Sequence, residues 1–186
     1  MPKLIYSYLA SLDGYIADDR GNFNWAEPDE EVLDFINETY RSIGTYLYGR
    51  KIYEMMIEWE TDPSVAAQSP KSEEFARLWQ RAQKIVFSSS LHAVSTERTR
   101  IERTFNPETI GEIKASVDHD LAVSGADLAS TAWRMSLIDE VHLFIAPILV
   151  GGGQHMFPEQ IRHPLELLDE RRFGNGMVFV RYAVAS

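Results

Sequence analysis

The chain has 186 residues, 45% hydrophobic and 25% charged, which suits one soluble domain with a substantial core. A formal net charge of −10 argues against a sequence-independent grip on nucleic acid or on an anionic membrane surface. With no cysteine there is no disulfide framework, thiol nucleophile or cysteine-ligated metal, which suits a reducing, cytoplasmic setting.

In chain order, MPKLIYSYLA holds a buried strand over 3–10, too short an apolar run for a leader or a membrane span. The stretch SLDGYIADDRGNFNW then reads as a long covering loop, although its Asp-Gly pair also suits a hairpin. Val32, Ile36, Tyr40 and Ile43 recur at helical spacing, which predicts an amphipathic helix over 29–43, its acidic first turn matched to the helix dipole. A short strand over 45–48 runs into GRKIYEMM, a helix opening after Gly49. An exposed loop over 62–70 precedes a helix over 71–82, and KIVFSSS is a strand ending in hydroxyls. A helix over 107–117 turns Ile110 and Ile113 inward. Residues 120–135 give a strand, a small-residue turn and a helix, and residues 138–150 a long strand followed by GGGQHMFP. Segments 165–173 and 177–184 face each other across Gly-Asn-Gly, a hairpin signal. Strands alternating with helices and a closing hairpin predict one α/β domain with a mixed, mostly parallel sheet.

Three strand ends carry residues suited to a phosphate-bearing ligand, and in open α/β sheets ligands bind where strands deliver their carboxyl ends. At YGRK, Gly49 permits close backbone approach, and Arg50 and Lys51 bring positive charge to a helix start, although a solvated basic pair has the same pattern. At FSSS, Ser88 and Ser89 offer hydroxyls, which also start turns for local reasons. At VSGAD, Ser124, Gly125 and Ala126 let a helix N-terminus approach a ligand, or simply let strand and helix pack tightly. The five histidines lack metal-type spacing, so no metal is expected.

SLDGYIA, GRKIYEMM, KIVFSS, AVSGADL and LIDEVHLFIAPILVGGGQHMFP occur in the order found in the dihydrofolate reductase superfamily. The chain most resembles the branch that includes the C-terminal reductase domain of riboflavin biosynthesis. The resemblance implies a three-layer α/β/α fold over residues 1–186, with a C-terminal antiparallel hairpin, that binds NADPH across its strand ends. It implies Arg50, Lys51, Ser88 and Ser89 near the adenosine 2′-phosphate. Ser124, Gly125, Ala126, Asp127 and Leu128 would lie at the pyrophosphate, and Ala10 and Gly14 beside the nicotinamide.

Where the riboflavin-pathway enzymes carry a basic residue after SLDG and an acidic one before the glycine pair, this chain has Tyr15 and Ser124. A ribityl-phosphate substrate thereby loses its expected cation. Ile52 and Ala126 replace a frequent threonine and a second glycine. The pterin-protonating carboxylate of true dihydrofolate reductases would fall near Leu33 or Asp34, and Asp34 points off the apolar face. Asp13 and Asp29 are the candidate catalytic groups, the second with helix capping as its alternative. Asp139 and Glu140 are expected to cap or to face solvent. The expected protein is an NADPH-dependent oxidoreductase acting on a small, possibly pterin- or pyrimidine-like molecule, and a homodimer. The alternatives are a nucleotide- or pterin-binding protein that keeps the fold with little or no turnover, and an oligomeric scaffold with an empty site.

Overall fold

The N-terminal apolar run becomes β1 (Leu4–Ser11), and the loop after it holds β2 (Tyr15–Ala17) and one 3-10 turn at Asn24–Ala26. These come from the computed structural model, which describes residues 1–185. Asp29 caps α1 (Glu30–Tyr40) by accepting the Val32 amide, with Glu30 and Glu31 in the first turn. Next come β3 (Ile43–Gly49), α2 (Arg50–Met56), the short α3 (Glu58–Thr61) and α4 (Pro63–Ala66), then α5 (Pro70–Arg81) and β4 (Gln83–Phe87). They are followed by β5 (Thr99–Glu102), α6 (Pro107–Ala115), β6 (Asp120–Ser124), α7 (Ala126–Arg134) and β7 (Glu140–Ala146). The chain closes with β8 (Gln154–His155), β9 (Leu165–Arg172) and β10 (Val178–Val184).

Eight strands form one sheet in the order β5-β4-β3-β6-β1-β7-β10-β9, and β2 pairs with β8 in a separate ribbon. All pairings from β5 to β7 are parallel. β10 runs antiparallel to both β7 and β9. This is the mixed, mostly parallel sheet that the alternating pattern predicts.

Side-chain alternation along each strand builds the three layers. On one face Leu4, Tyr6, Leu47 and Ile85 pack with Ile110 and Ile113 of α6 and with Ala129, Ala132 and Trp133 of α7. On the other, Ile5, Tyr46, Tyr48 and Val86 pack with Tyr53 of α2 and Trp79 of α5. Val32 and Ile36 of α1 join Phe144, Phe173 and Phe179 in a third cluster on the hairpin side. No helix among the described residues is long and apolar enough to cross a membrane.

Several expectations need correction. Ile43 opens β3 rather than extending α1; it packs with Tyr46 and Trp79. The segment 62–70 contains α4, whose start is capped by Asp62 accepting the Ser64 amide. β5 carries alternating charge and lies at a sheet edge, so it lacks the apolar run that marks a strand. The long strand over 138–150 is β7 alone, ending at Ala146 before Pro147.

Glu140 does not face solvent. It is 3% exposed and accepts from Arg181 Nε at 2.9 Å and Nη2 at 3.2 Å. Lys3 also pairs with it, and His142 Nε2 lies 3.1 Å away. Burial would raise its carboxyl, but the hydrogen bonds from Arg181, Lys3 and His142 outweigh burial and hold it at about 2. Burial, opposed by Glu140, lowers His142. Asp139 is partly exposed; it accepts the Leu4 amide at the start of β1 at 2.6 Å and pairs with Lys114.

Candidate active site

The carboxyl ends of the parallel strands lie side by side, so the sheet order alone assembles the predicted residues along one edge. Arg103 follows β5, Ser88 and Ser89 follow β4, Arg50 follows β3, Gly125 follows β6, and Leu12–Gly14 follow β1.

The edge splits between β6 and β1. β1 pairs with β6 only from Leu4 to Tyr6, where the partner is Val123. Against β7 it continues to Ser11. Residues Ser7 to Ser11 therefore have a strand partner on one side only, and Ala10, itself fully buried, lies in that overhang. A crevice between neighbouring strands at a carboxyl edge is where open α/β sheets take ligands.

Tyr8 stands in this crevice. Its hydroxyl accepts the Gly125 amide at 2.6 Å, tying β1 to the start of α7. Burial pushes the phenol up to about 12, so it keeps its proton at neutral pH. The Tyr6 ring lies 5.0 Å from that of Tyr8, and the Tyr6 hydroxyl bonds the Met156 carbonyl. Sequence reasoning passed over Tyr8 because a tyrosine in an apolar strand reads as core.

Gly125 is required where it stands. Its φ is +103°, and a Cβ there would lie 3.2 Å from Ile52 Cγ2 and 3.3 Å from the Gly49 nitrogen. The starts of α2 and α7 thus meet through two glycines. Ala126 opens α7, Asp127 is exposed in its first turn, and Leu128 packs against the core. Ser124 ends β6 opposite Tyr48.

Arg50 reaches towards the serine segment: Nη1 donates to Ser90 Oγ at 3.2 Å while Nε pairs with Glu54 at 2.7 Å. Lys51 is exposed. From the other side Arg103 Nη1 donates to the Ser88 carbonyl at 2.5 Å, so two guanidiniums flank Ser88–Ser90. Arg103 gave no sequence signal because β5 itself was unrecognised. Ser88 Oγ is occupied by the Ser90 and Leu91 amides, a local turn bond; Ser89 is exposed.

Asp13 is an anchor. Its carboxylate accepts from Ser11 Oγ at 2.7 Å, from the Val150 amide at 3.1 Å and from the Gly151 amide at 2.8 Å. Those bonds, from Ser11 first and then Val150, hold its carboxyl at about 2. At neutral pH it is an acceptor with no proton to give. It joins the loop after β1 to the glycine loop after β7, and the Leu12 amide adds a bond to the Ile148 carbonyl. The two loops go on to form the β2–β8 ribbon, in which the rings of Tyr15 and His155 lie 4.6 Å apart. Gly14 accepts the Met156 amide at its carbonyl, and a Cβ on Gly153 would run into the Ala17 carbonyl. The covering loop is thus folded against a second loop and bonded to it.

Asp29 stands apart, exposed and engaged as the α1 cap. Asp34 pairs with Lys71 on α5, away from the crevice. Trp59 packs edge-on against Phe75 at 4.6 Å. His142 is buried beside Glu140 at the opposite end of β7. Two open hollows of about 500 and 340 Å³ lie around Arg41 and Arg81. There Arg81 donates to the Arg41 carbonyl at the end of α1, as a cation at a helix C-terminus does, and Arg41 pairs with Glu74. No group of three or more potential ligands for a metal ion occurs among the described residues.

Comparison with known proteins agrees with the fold. The model of the RibD C-terminal domain matches residues 2–179. The uncharacterised protein YyaP of Bacillus subtilis (strain 168) is 27% identical over 187 residues, 97% of this chain and 94% of that protein. A crystal structure of a Shewanella sp. PV-4 protein, provisionally named for riboflavin biosynthesis, superposes with a TM-score of 0.79 at 21% identity, covering 99% of both chains. The Thermotoga maritima diaminohydroxyphosphoribosylaminopyrimidine deaminase/5-amino-6-(5-phosphoribosylamino)uracil reductase gives 0.66 at 17% identity, with 99% of this chain covering 57% of that one.

Proposed function

The chain belongs to the RibD C-terminal domain family, and we propose that it is an NADPH-dependent reductase of a small, flat, carbonyl- or imine-bearing substrate, pterin- or pyrimidine-like in kind. The observation that carries this reading is the continuous edge from the β1 overhang, through the Gly49–Gly125 contact, to the two arginines around Ser88–Ser90. These features suit the parts of a phosphorylated dinucleotide in order. The overhang at Ala10 offers unpaired backbone to a carboxamide. The first turn of α7 offers amides and a glycine that admits close approach to a pyrophosphate. Arg50 and Arg103 offer guanidiniums to a 2′-phosphate, which favours NADPH over NADH.

When bound, the reduced nicotinamide supplies the hydride. The protein's part is orientation and water exclusion. In this reading Asp13 holds the two loops as a wall beside the nicotinamide, and Tyr8 fixes the width of the crevice by bridging β1 to α7. Leu12, Ile148 and Leu149 are all exposed near this end of β1 and β7, an apolar rim suited to the flat face of a substrate. The Thermotoga relative, by its name, reduces a pyrimidine. In this chain Tyr15 occupies a ribbon position with its ring tilted against that of His155, which favours a substrate without a ribityl phosphate.

A second reading, a nucleotide- or pterin-binding protein with little turnover, is favoured by one observation. Neither Asp13, ionised and fully bonded, nor Asp29, capping a helix, offers a proton to a reduced product.

Thermal unfolding with NADPH, NADP and NADH separates these readings from an empty site. At a hundredfold excess over Kd a ligand adds about 2.7 kcal/mol, which raises the midpoint by roughly 5–10 °C for a domain of this size. A shift confined to NADPH and NADP supports the site. Substrate-dependent NADPH oxidation then supports the reductase over the binder. No shift with any of the three overturns the reductase and the nucleotide-binding form of the second reading.

A further inference from the structure

The amino ends of the parallel strands form the opposite end of the sheet from the candidate active site. Ile43 opens β3 and Gln83 opens β4 there, and Arg98 and His119 immediately precede β5 and β6. The smaller hollow, about 340 Å³, lies among them; its lining includes Arg41, Arg81, Arg98 and His119 and no acid. In a chain of net charge −10, an acid-free wall bearing three guanidiniums is a local reversal of sign.

Helix ends explain only part of this wall. Arg41 pairs with Glu74 at 2.7 Å, and Arg81 Nη2 donates to the Arg41 carbonyl at 3.3 Å. The last turn of α5 does not depend on Arg81, because buried Lys84 donates to the Trp79 and Gln80 carbonyls at 3.4 Å each. Arg81 and Arg98, both exposed, pair with no carboxylate among the described residues. Arg98 holds a left-handed backbone, φ +52°, uncommon for a residue with a side chain, and its carbonyl accepts the Lys84 amide at 2.9 Å. A Cβ on Gly44 would lie 2.4 Å from the His119 ring, so glycine there seats the imidazole against β3. His119 Nε2 lies 2.9 Å from Oγ1 of Thr45, which is fully buried, and Nδ1 lies 3.3 Å from the exposed Asp118.

We infer that this hollow is an anion site that takes the phosphate group of a small molecule. Guanidiniums offer paired N–H donors that match phosphate oxygens, and here they arrive from three separate segments. The volume falls within the range of small-ligand sites. A long polyanion fits less well, because Glu74 stands in the adjoining hollow and the chain as a whole is acidic. The hollow and the Arg50 edge lie at opposite ends of the strands, so this inference stands apart from the proposed activity.

The test is titration calorimetry of the full chain with inorganic phosphate and with phenyl phosphate, a free ion and a monoester, at constant ionic strength. At least one should bind wild type with a Kd below about 10 mM, and the tighter of the two identifies the source. R81A/R98A should lose about tenfold or more of that affinity and bind NADPH as wild type does. R50A/R103A, altered at the other end of the strands, should keep the phosphate affinity. Arg81 and Arg98 are exposed, so circular dichroism should show the first variant folded. Neither probe binding wild type overturns the proposal, as does R81A/R98A binding as tightly as wild type. Succinate binding as tightly as phenyl phosphate overturns the phosphate chemistry. Loss of binding in R50A/R103A alone assigns the anion to the other end of the sheet and overturns the site.

Discussion

Replacing Glu140 with Gln removes one charge from a buried cluster and leaves the shape nearly unchanged. The side chain is 3% exposed and bonded by Arg181, Lys3 and His142. Its carboxyl is held at about 2, against an ordinary value of 4.5. A carboxylate so depressed contributes about 3 kcal/mol of stability at neutral pH. Arg181 and Lys3 remain partly exposed, at 37% and 45%. Water can solvate them once the carboxylate is gone, so the loss should sit at the low end of the ~3–5 kcal/mol for a broken buried pair. The midpoint of thermal unfolding should fall by roughly 6–12 °C.

The sign of the pH dependence follows from the depressed carboxyl. The contribution is complete above the unfolded value and is lost as pH falls from about 4.5 towards 2. At about pH 3.5 some 1.4 kcal/mol of it should already be gone. Urea unfolding of wild type and E140Q at about pH 7 and about pH 3.5 measures this gap directly. A gap below about 1 kcal/mol at neutral pH, or one that does not narrow in acid, would refute the assignment of Glu140 as a stabilising buried anion.

The remaining predictions concern the crevice. Gly125→Ala should destabilise the protein by roughly 1–3 kcal/mol, because φ is +103° and the new methyl meets Ile52 and Gly49; a calorimetric midpoint unchanged from wild type would remove the steric argument. Arg50→Ala should weaken NADPH by about tenfold or more, the worth of one charge-assisted hydrogen bond, and leave NADH unchanged, as read by titration calorimetry. Equal losses for the two nucleotides would move the 2′-phosphate elsewhere, Arg103 being the next cation to replace. Asp13→Asn should lower turnover while leaving the shape of the rate–pH curve unchanged between about pH 5 and 9, since a carboxyl held at about 2 does not titrate there. Loss of a kinetic ionisation in that range would restore Asp13 as an acid–base group.

Much of the fold could be read along the chain because its causes are local. Ile110 and Ile113 face inward at helical spacing, Asp29 caps the helix it precedes, and Gly-Asn-Gly turns the last hairpin as turn chemistry requires. The strand ends bearing Gly49, Ser88 and Gly125 were visible for the same reason. Each is an apolar run that stops at small or polar residues. What lay beyond reach depended on partners distant in sequence. Arg103 joins the serine segment only because β5 docks beside β4. Tyr8 reaches the start of α7 only because β6 stops short of β1. Glu140 reads as a solvated acid until Lys3 and Arg181, 137 and 41 residues away, close around it. Periodicity and capping are settled within a few residues of chain. Which charges are buried together, and which hydroxyl bridges two strands, is settled by the sheet order, which no stretch of sequence contains.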